Sequence, residues 1–363
     1  MAATSMTGDG SLAGARQGLR VLAFAYLAVF AVLFLFALAV VFLGNPHAGE
    51  PVIHLALPSA PPPATAAARP AAPTPSATGE PVLPPALVPS TVTERIYAGS
   101  ALIADPALIE STAGGPLPRI GADGTTPQRA YAAPAPDTAK PRIAIVVSGL
   151  GISAKATAAA LAVLPPQVTL AFAPYASDVQ RWVTEARREG HEVLLEVPME
   201  PFDFPDSDPG PHTLRSGVGE DANTEKLAWA LTRFTGYTGV TNLLGGRLLS
   251  DPDSLEPVLT YLARRGLLFY DNGAATHSAA PDVASRSGVA FAQANATIDS
   301  IQTAMEIDRE LSELETAARA NGTASGAGFL YPVTLQRVAA WAQGLPGRGF
   351  VLVPASAIVA PKK

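Results

Sequence analysis

Polar side chains that could perform chemistry lie at or near the carboxyl ends of predicted strands of this sequence. They are Ser148, Glu196, Glu200, Asn242, Arg247, Asp271, Asn272, His277 and Tyr331. Three of them are carboxylates, which can act as general acids or bases or bind a hard divalent cation. The sequence has no cysteine, and no zinc-site spacing such as H-x-x-x-H, H-x-x-E-H or D-x-D joins these residues. The set therefore predicts a polar cleft without a recognisable metal motif.

Each catalytic candidate also has a purely structural interpretation. Glu196 and Glu200 could form a glycosidase-like carboxylate pair, or hydrogen-bond partners that hold the cleft together. Asp271 could join them as a catalytic or ligand-binding carboxylate. His277 lies in a polar run, so it is either a general acid or base or part of a loop above the cleft.

The remaining polar residues have the same two interpretations. Asn242, Arg247, Asp271 and Asn272 would suit sugar hydroxyls or peptide groups, and equally a network that caps the strand ends. His191 precedes a strand on the end away from the cleft and is expected to be structural. His212 belongs to an acidic, Pro-rich loop, which is a solvated loop or a lid.

Alternating apolar and helical segments must position these side chains. The predicted strands are 142–147, 168–173, 192–198, 239–243, 267–271, 289–292 and 350–354. The predicted helices are 154–164, 178–189, 224–234, 254–265, 298–320 and 334–343. The strands are continuous apolar runs, as expected for strands that are buried on both faces. We expect Ser177 and either Asp253 or Ser254 to cap two of the helices.

This alternation predicts a parallel sheet, as a (β/α) barrel or an open doubly wound sheet. The run Gly149–Ala154 lacks the third glycine of a dinucleotide-binding loop, which favours the barrel. In both architectures the functional face lies at the carboxyl ends of the strands.

The N-terminus predicts a membrane anchor at residues 19–43. From Val21 to Leu43 the sequence is uncharged and apolar apart from Tyr26, which is long enough to span a bilayer. Arg16 and Arg20 precede this stretch, so residues 1–18 are predicted to be cytoplasmic and the rest periplasmic. A signal peptide is the competing interpretation.

A long linker is expected between the anchor and the globular domain. Residues 46–140 contain 19 of the 35 prolines, so residues 44–138 should form a disordered linker. Residues 91–131 carry several aliphatic side chains and could dock on the domain, which is predicted at 139–363. The net charge of −6, without a cluster of basic residues, argues against nucleic-acid binding.

Several short segments in fixed order resemble the divergent polysaccharide deacetylase family of bacterial envelope proteins. They are IAIVVSGLG at 143–151, VTLAFAPYA at 168–176, GHEVLLEVPMEP at 190–201, and the segments 239–247, 266–271, 331–332 and 350–354. The resemblance implies a distorted (β/α) barrel of the glycoside hydrolase/deacetylase type, related to metal-dependent carbohydrate esterases.

The sequence departs from the family where the resemblance implies metal ligands or a base. The pair Asp-Asp of the family is Ser148-Gly149 here, and its His in Asn-His-Met-Gly-Ser is Leu243. A second His, in Gly-His-Pro-Tyr-Pro, is Phe329, and the His of His-Leu-Pro-Met-Glu is Glu196. Since leucine and phenylalanine cannot bind a metal, we expect no bound cofactor.

These departures predict a pseudoenzyme that keeps the barrel and its cleft. It would bind peptidoglycan, another glycan or a periplasmic protein while anchored in the inner membrane through residues 19–43. The alternative is an active carbohydrate deacetylase or hydrolase whose metal ligands are relocated to Glu196, Glu200, Asp271 and His277. A third possibility is a barrel rim that docks a protein through an apolar patch around Leu243, Leu244, Phe329 and Leu330.

Overall fold

The computed structural model describes Tyr26 and residues 104–359 of the chain. Apart from Tyr26, the predicted cytoplasmic segment, the predicted anchor and the linker up to residue 103 lie outside the described residues. Among the residues that are described, no helix is both long and apolar enough to cross a membrane.

A sheet of nine parallel strands forms the centre of residues 104–359. These strands are β3 (Arg142–Leu150), β4 (Thr169–Phe172), β5 (Val193–Met199), β6 (Gly239–Leu244), β7 (Leu268–Asp271), β8 (Ala290–Gln293), β9 (Ala296–Thr297), β10 (Thr323–Phe329) and β11 (Val351–Val353). Their order is β8-β7-β6-β5-β4-β3-β10-β9, and β11 also pairs with β3. All of these pairs are parallel, so the carboxyl ends of the strands meet at one edge of the sheet.

The sheet curves into an open barrel rather than a flat layer. Ala294 N donates to Asp271 O on β7 at 2.8 Å, and Asn295 N donates to Ser325 O on β10 at 2.7 Å. The chain between β8 and β9 therefore crosses the gap between the two ends of the sheet. On the inner side, the Tyr270 hydroxyl and the Ser325 hydroxyl are hydrogen-bonded at 2.7 Å. The predicted distorted barrel is confirmed as an open barrel of parallel strands.

Helices connect the strands and cover the outer face of the sheet. They are α1 (Pro127–Ala130), α2 (Ala154–Val163), α3 (Val179–Arg188), α4 (Glu220–Leu231), α5 (Gly246–Leu249), α6 (Pro252–Arg264), α7 (Ala280–Ser287), α8 (Ala304–Asn321) and α9 (Pro332–Gly344). Short 3₁₀ turns occur at Pro106–Leu108, Pro346–Arg348 and Ala355–Ile358.

Two predicted helix caps are wrong, because neighbouring residues fit the backbone better. Asp178, not Ser177, precedes α3, and it adopts a left-handed conformation (φ 53°) that aspartate tolerates better than most residues. Asp251 caps α6 by accepting from Ser254 N at 3.3 Å, and Pro252 occupies the first turn.

Strand β10 was not predicted, because its sequence TASGAGF has no apolar run. Its small residues are required by packing. A Cβ on Gly326 would lie 2.6 Å from Leu314 Cδ1 and 2.8 Å from Ile298 Cγ2. Helix α8, which carries Leu314, therefore lies directly against the backbone of β10. The large apolar side chains of this contact belong to the helix, so the strand sequence lacks the apolar run that would predict it.

The core has an outer and an inner part. The larger part packs the strands against the helices and includes Val147, Val197 and Val240. The smaller part fills the inside of the barrel, with Val146, Leu194 and Tyr270 among its members. Because side chains alternate along a strand, residues two positions from an inner-core residue also face the interior.

Residues 105–133 pack along the amino-end side of the barrel, and we call them the strap. The strap contains the antiparallel pair β1 (Ile109–Thr112) and β2 (Gly115–Pro118), followed by α1. Its Tyr131 is buried, and Tyr131 O accepts from Arg187 Nη1 at 3.3 Å and from Thr238 Oγ1 at 3.2 Å. Residues 91–103 of the segment predicted to dock lie outside the described residues.

Candidate functional site

The candidate site lies inside the barrel, at the carboxyl ends of β3, β5, β6 and β10. Its centre is Glu196 on β5, whose side chain is 1% exposed. Glu196 lies two residues after the inner-core Leu194 and therefore faces the interior. Its carboxyl accepts a short hydrogen bond from Gly149 N on β3. No other hydrogen bond reaches this carboxyl from residues 104–359.

Burial makes Glu196 unusual among carboxyl groups. Removal from water disfavours its charged form and raises its pKa to about 8, although the hydrogen bond from Gly149 acts in the opposite direction. No basic side chain of residues 104–359 offsets the burial. The group is consequently mostly protonated at neutral pH, and a protonated carboxyl can both donate and accept a hydrogen bond.

Thr241 on β6 stands beside Glu196 in the parallel register of β5 and β6. The side chains of the two residues share the inner face, because Val240 belongs to the outer core. Thr241 is fully buried, and its hydroxyl has no hydrogen-bond partner within residues 104–359. A buried hydroxyl without a hydrogen-bond partner lowers the stability of the folded protein. Stability therefore does not explain why Thr241 lies beside Glu196 in the interior.

A second buried glutamate, directly before β5, has a carboxyl group whose two oxygens both accept hydrogen bonds. Glu192 lies four residues before Glu196, near the amino ends of the strands. It accepts hydrogen bonds from Ala133 N, Thr169 Oγ1, and both the amide and the hydroxyl of Ser356. Glu192 thereby joins the strap and the C-terminal 3₁₀ turn to the barrel. The comparison identifies Glu192 as structural and Glu196 as the group with unused hydrogen-bonding capacity.

Phe329 closes the interior above Glu196. It is the last residue of β10 and faces inward like Ala327. Its ring lies on Gly149, because a Cβ on Gly149 would be 2.6 Å from Phe329 Cζ and 2.8 Å from Cε1. Gly149 also has a φ of 89°, which side-chain-bearing residues rarely adopt. Only glycine satisfies both requirements at this position.

Comparison with known proteins identifies the family. A profile described as divergent polysaccharide deacetylase matches residues 145–359, which is more than half of the chain. The chain belongs to the divergent polysaccharide deacetylase family.

Relatives of known sequence or structure agree with this assignment. A crystal structure of an uncharacterized protein from Agrobacterium tumefaciens C58 is 41% identical, covers 68% of this chain and 100% of its own, and has a TM-score of 0.66. The uncharacterized protein YibQ of Escherichia coli K12 is 25% identical over 218 residues, which is 60% of this chain and 67% of YibQ. An uncharacterized protein of Haemophilus influenzae Rd is 24% identical over 208 residues, which is 57% of this chain and 73% of the relative.

The donors at the candidate site do not fit the divalent metal that the deacetylase resemblance implies. Ser148 is buried, Leu243 and Phe329 offer no donor atom, and Glu196 is the one carboxyl at the site. Across residues 104–359 the structure brings no three His, Asp or Glu side chains together as a possible metal site. We therefore derive no step through a metal.

Glu200 does not pair with Glu196. Its carboxylate accepts from Ser216 N at 2.6 Å and lies 3.9 Å from Arg247 Nε. Glu200 is buried, whereas the Arg247 side chain is 55% exposed. This arrangement holds the loop after β5 against α5, as the hydrogen-bond interpretation predicts.

The two asparagines cap the ends of β6 and β7. Asn242 Oδ1 accepts from Asn272 N at 2.9 Å, and Asn272 Nδ2 donates to Asn242 O at 2.8 Å. Asn242 Nδ2 also donates to Asn272 Oδ1 and to Leu244 O, both at 2.6 Å. Asp271 is buried and accepts from Gly273 N and Gln293 Nε2. The structure therefore places these residues in the strand-capping network rather than on a free ligand-binding surface.

The aromatic and imidazole candidates are dispersed. Tyr331 is half-buried at the start of α9, with its ring centroid 5.3 Å from that of Phe329. His277 is exposed in the loop after β7. His191 is buried with Nδ1 2.8 Å from Val168 O, as expected of a structural histidine. His212 stacks on Trp229, with centroids 3.5 Å apart.

Thr241 and the contact between Gly149 and Phe329 were not identified from the sequence. The relevant signal was present, since Thr241 lies in a predicted strand next to a strand that contains Glu196. A polar residue on each of two adjacent buried strands can face the same interior. The alignment of the two strands, which decides this, requires the structure.

Glu196 makes the stability of the protein depend on pH. Its pKa is about 8 in the folded protein against 4.5 in its ordinary state, so folding becomes less favourable as pH rises from about 4.5 to about 8. The Glu196→Gln variant removes this effect and keeps an acceptor for Gly149 N. We expect the variant to match the parent near pH 4.5 and to be more stable by roughly 3–5 kcal/mol above pH 9.

Chemical denaturation of both proteins across this pH range measures the difference. Parallel stability curves for parent and variant would show that Glu196 is already ionised in the folded state.

Proposed function

We propose that this chain is a membrane-anchored, periplasmic member of the family that has lost metal-dependent deacetylation and binds an envelope partner. The apolar segment 19–43, with Arg16 and Arg20 before it, supports the anchor and its orientation. The donor set around Glu196 supports the loss of catalysis, because deacetylation in such enzymes depends on a metal-activated water. The carboxyl-end edge of the barrel supports a binding role.

Exposed apolar side chains surround the carboxyl ends of the strands. They are Ile152 after β3, Tyr175 after β4, Phe202 after β5, Leu244 at the end of β6, Ile301 and Met305 after β9, and Phe329 at the end of β10. Their exposed fractions range from 37% to 74%. We call these seven residues the apolar rim. Exposed apolar side chains that gather on one face are typical of binding surfaces.

Leu244 is the observation that carries the proposal. It is 40% exposed and has a φ of 57°, so an apolar side chain is presented to solvent from a left-handed backbone. This conformation costs an L-residue about 1–2 kcal/mol, and the exposed leucine gains little burial in return. Strain of this kind is concentrated at functional sites. A binding partner that covers Leu244 would explain why the residue is a leucine.

The composition of the rim favours a protein partner over a glycan. Four of the seven residues are aliphatic or methionine, and Asn242 and Asn272 already use their amides to bind each other. Peptidoglycan or another glycan is the second candidate, because Tyr175, Phe202 and Phe329 offer aromatic surfaces and Arg247 offers an exposed donor.

Substitution of Leu244 should separate stability from binding. The Leu244→Asn variant places a residue that tolerates φ above zero and removes the exposed leucine. We expect it to be about 0.5–1 kcal/mol more stable in denaturant unfolding. We also expect it to reduce in-cell photo-crosslinking from a benzophenone side chain at position 202.

Val163→Asn is the matched control, because Val163 has a similar exposure (46% against 40%) but lies at the C-terminal end of α2, on the opposite side of the barrel. It should leave the crosslinks from position 202 unchanged. Crosslinks to peptidoglycan rather than protein would favour the glycan. If position 202 gave no crosslinked product at all, the apolar rim would not be the binding surface.

Metal content distinguishes the proposal from the alternative of an active enzyme with relocated ligands. Purified full-length chain, soaked with Zn²⁺, Mn²⁺ or Mg²⁺ and desalted, should contain far less than one ion per chain by mass spectrometry. One tightly held ion per chain that disappears in Glu196→Gln or Asp271→Asn would instead establish a relocated metal site.

A further inference from the structure

The interior beneath Phe329 contains polar groups whose hydrogen-bonding capacity is unused. Glu196 has one hydrogen bond, from Gly149 N, and Thr241 has no side-chain hydrogen bond within residues 104–359. Both side chains are at least 99% buried and adjacent across β5 and β6. Elsewhere in the same interior, Glu192 and Ser325 are fully engaged with neighbours. The unused capacity is therefore local to the carboxyl end.

The chemistry of the pair selects an uncharged ligand group. Burial keeps Glu196 mostly protonated at neutral pH, so it offers both an O–H donor and a carbonyl acceptor. The Thr241 hydroxyl likewise donates and accepts. A carboxylate ligand would bring a negative charge into a buried interior where no basic side chain of residues 104–359 offsets the burial of Glu196, and desolvation would oppose it. A hydroxyl or primary amide matches both groups without a charge.

Phe329 controls access to this pair. Its ring covers Gly149, the residue whose amide donates to Glu196, and the residue is 37% exposed to solvent. The backbone of Phe329 is fixed, since its amide donates to Asp299 Oδ2 at 2.7 Å and Asp299 also accepts from Thr334 Oγ1 at 2.8 Å. A rotation of the side chain alone would therefore open the interior and leave β10 in place.

We propose that Glu196 and Thr241 form an interior binding site for a small uncharged group that donates and accepts hydrogen bonds, with Phe329 as its gate. The site goes beyond the proposed function, because it lies inside the barrel and shares only its gate, Phe329, with the apolar rim.

Formamide and formate test the site, because they have nearly the same size and shape but differ in charge. The Gly149 amide, which contacts Glu196, serves as the reporter in two-dimensional NMR spectra of the full-length chain at pH 7. We expect formamide to shift this resonance saturably, with a dissociation constant on the order of millimolar or weaker. Formate at the same concentrations should not shift it.

Three variants assign the effect to the site. Phe329→Leu retains an apolar side chain but shortens the gate, so it should tighten formamide binding about threefold or more. Val163→Ala shortens an exposed apolar side chain at the end of α2, outside the apolar rim, and it should leave formamide binding unchanged. Thr241→Val keeps the shape of the residue without the hydroxyl, and it should weaken formamide binding about tenfold or more.

Several results would overturn the proposal. They are an equal response to formate, an equal response of Thr241→Val, or the absence of any saturable shift in both the parent and a folded Phe329→Leu variant. None of these results depends on whether a partner binds the apolar rim. Failure of the interior site and failure of the proposed function are therefore distinguishable.

Discussion

The structure of the site at the carboxyl end of this barrel depends on the contact between the Phe329 ring and Gly149. The ring fits because residue 149 has no side chain, and the positive φ of Gly149 directs its amide to Glu196. The ring covers Gly149, the hydrogen-bond donor to Glu196, and burial of that carboxyl group raises its pKa and favours its protonated form. This one aromatic contact thus involves the backbone conformation of β3 at Gly149 and the position of Phe329 at the end of β10. Through the Gly149 amide it also involves the carboxyl group of Glu196.

This contact also gives a physical account of the two replaced motifs. The resemblance to the deacetylases matches Gly149 to an aspartate and Phe329 to a histidine, and the structure brings these two positions into direct contact. A side chain at 149 would collide with the ring, so a metal-binding side chain cannot be accommodated at 149 while the Phe329 ring keeps this position. The two replacements are therefore interdependent, and reversal of one of them alone would not restore the donors. The family fold persists because its packing is in the outer core, which these positions do not enter.

Much of the architecture could be predicted from the sequence, because buried parallel strands are continuous apolar runs. The seven predicted strands correspond to β3 to β8 and β11. Strand β10 could not be predicted, since packing against Leu314 and Ile298 limits it to small residues and removes the apolar signal. The residues around the cleft were identified by their position after strands, but their roles were not. Asn242 and Asn272 cap strands, whereas Glu196 and Thr241 face the interior. The register of adjacent strands, which is known only from the structure, shows which polar side chains lie next to each other.

A double-mutant cycle between positions 149 and 329 tests the central claim most directly. The free energy of unfolding would be measured for the parent, Gly149→Ala, Phe329→Ala and the double variant. If the ring lies on Gly149, removal of the ring relieves the collision with the new methyl group. The double variant should then be less destabilised than the sum of the single variants by about 1 kcal/mol or more. Additive effects, within about 0.3 kcal/mol, would show that the two residues do not interact and would contradict the account.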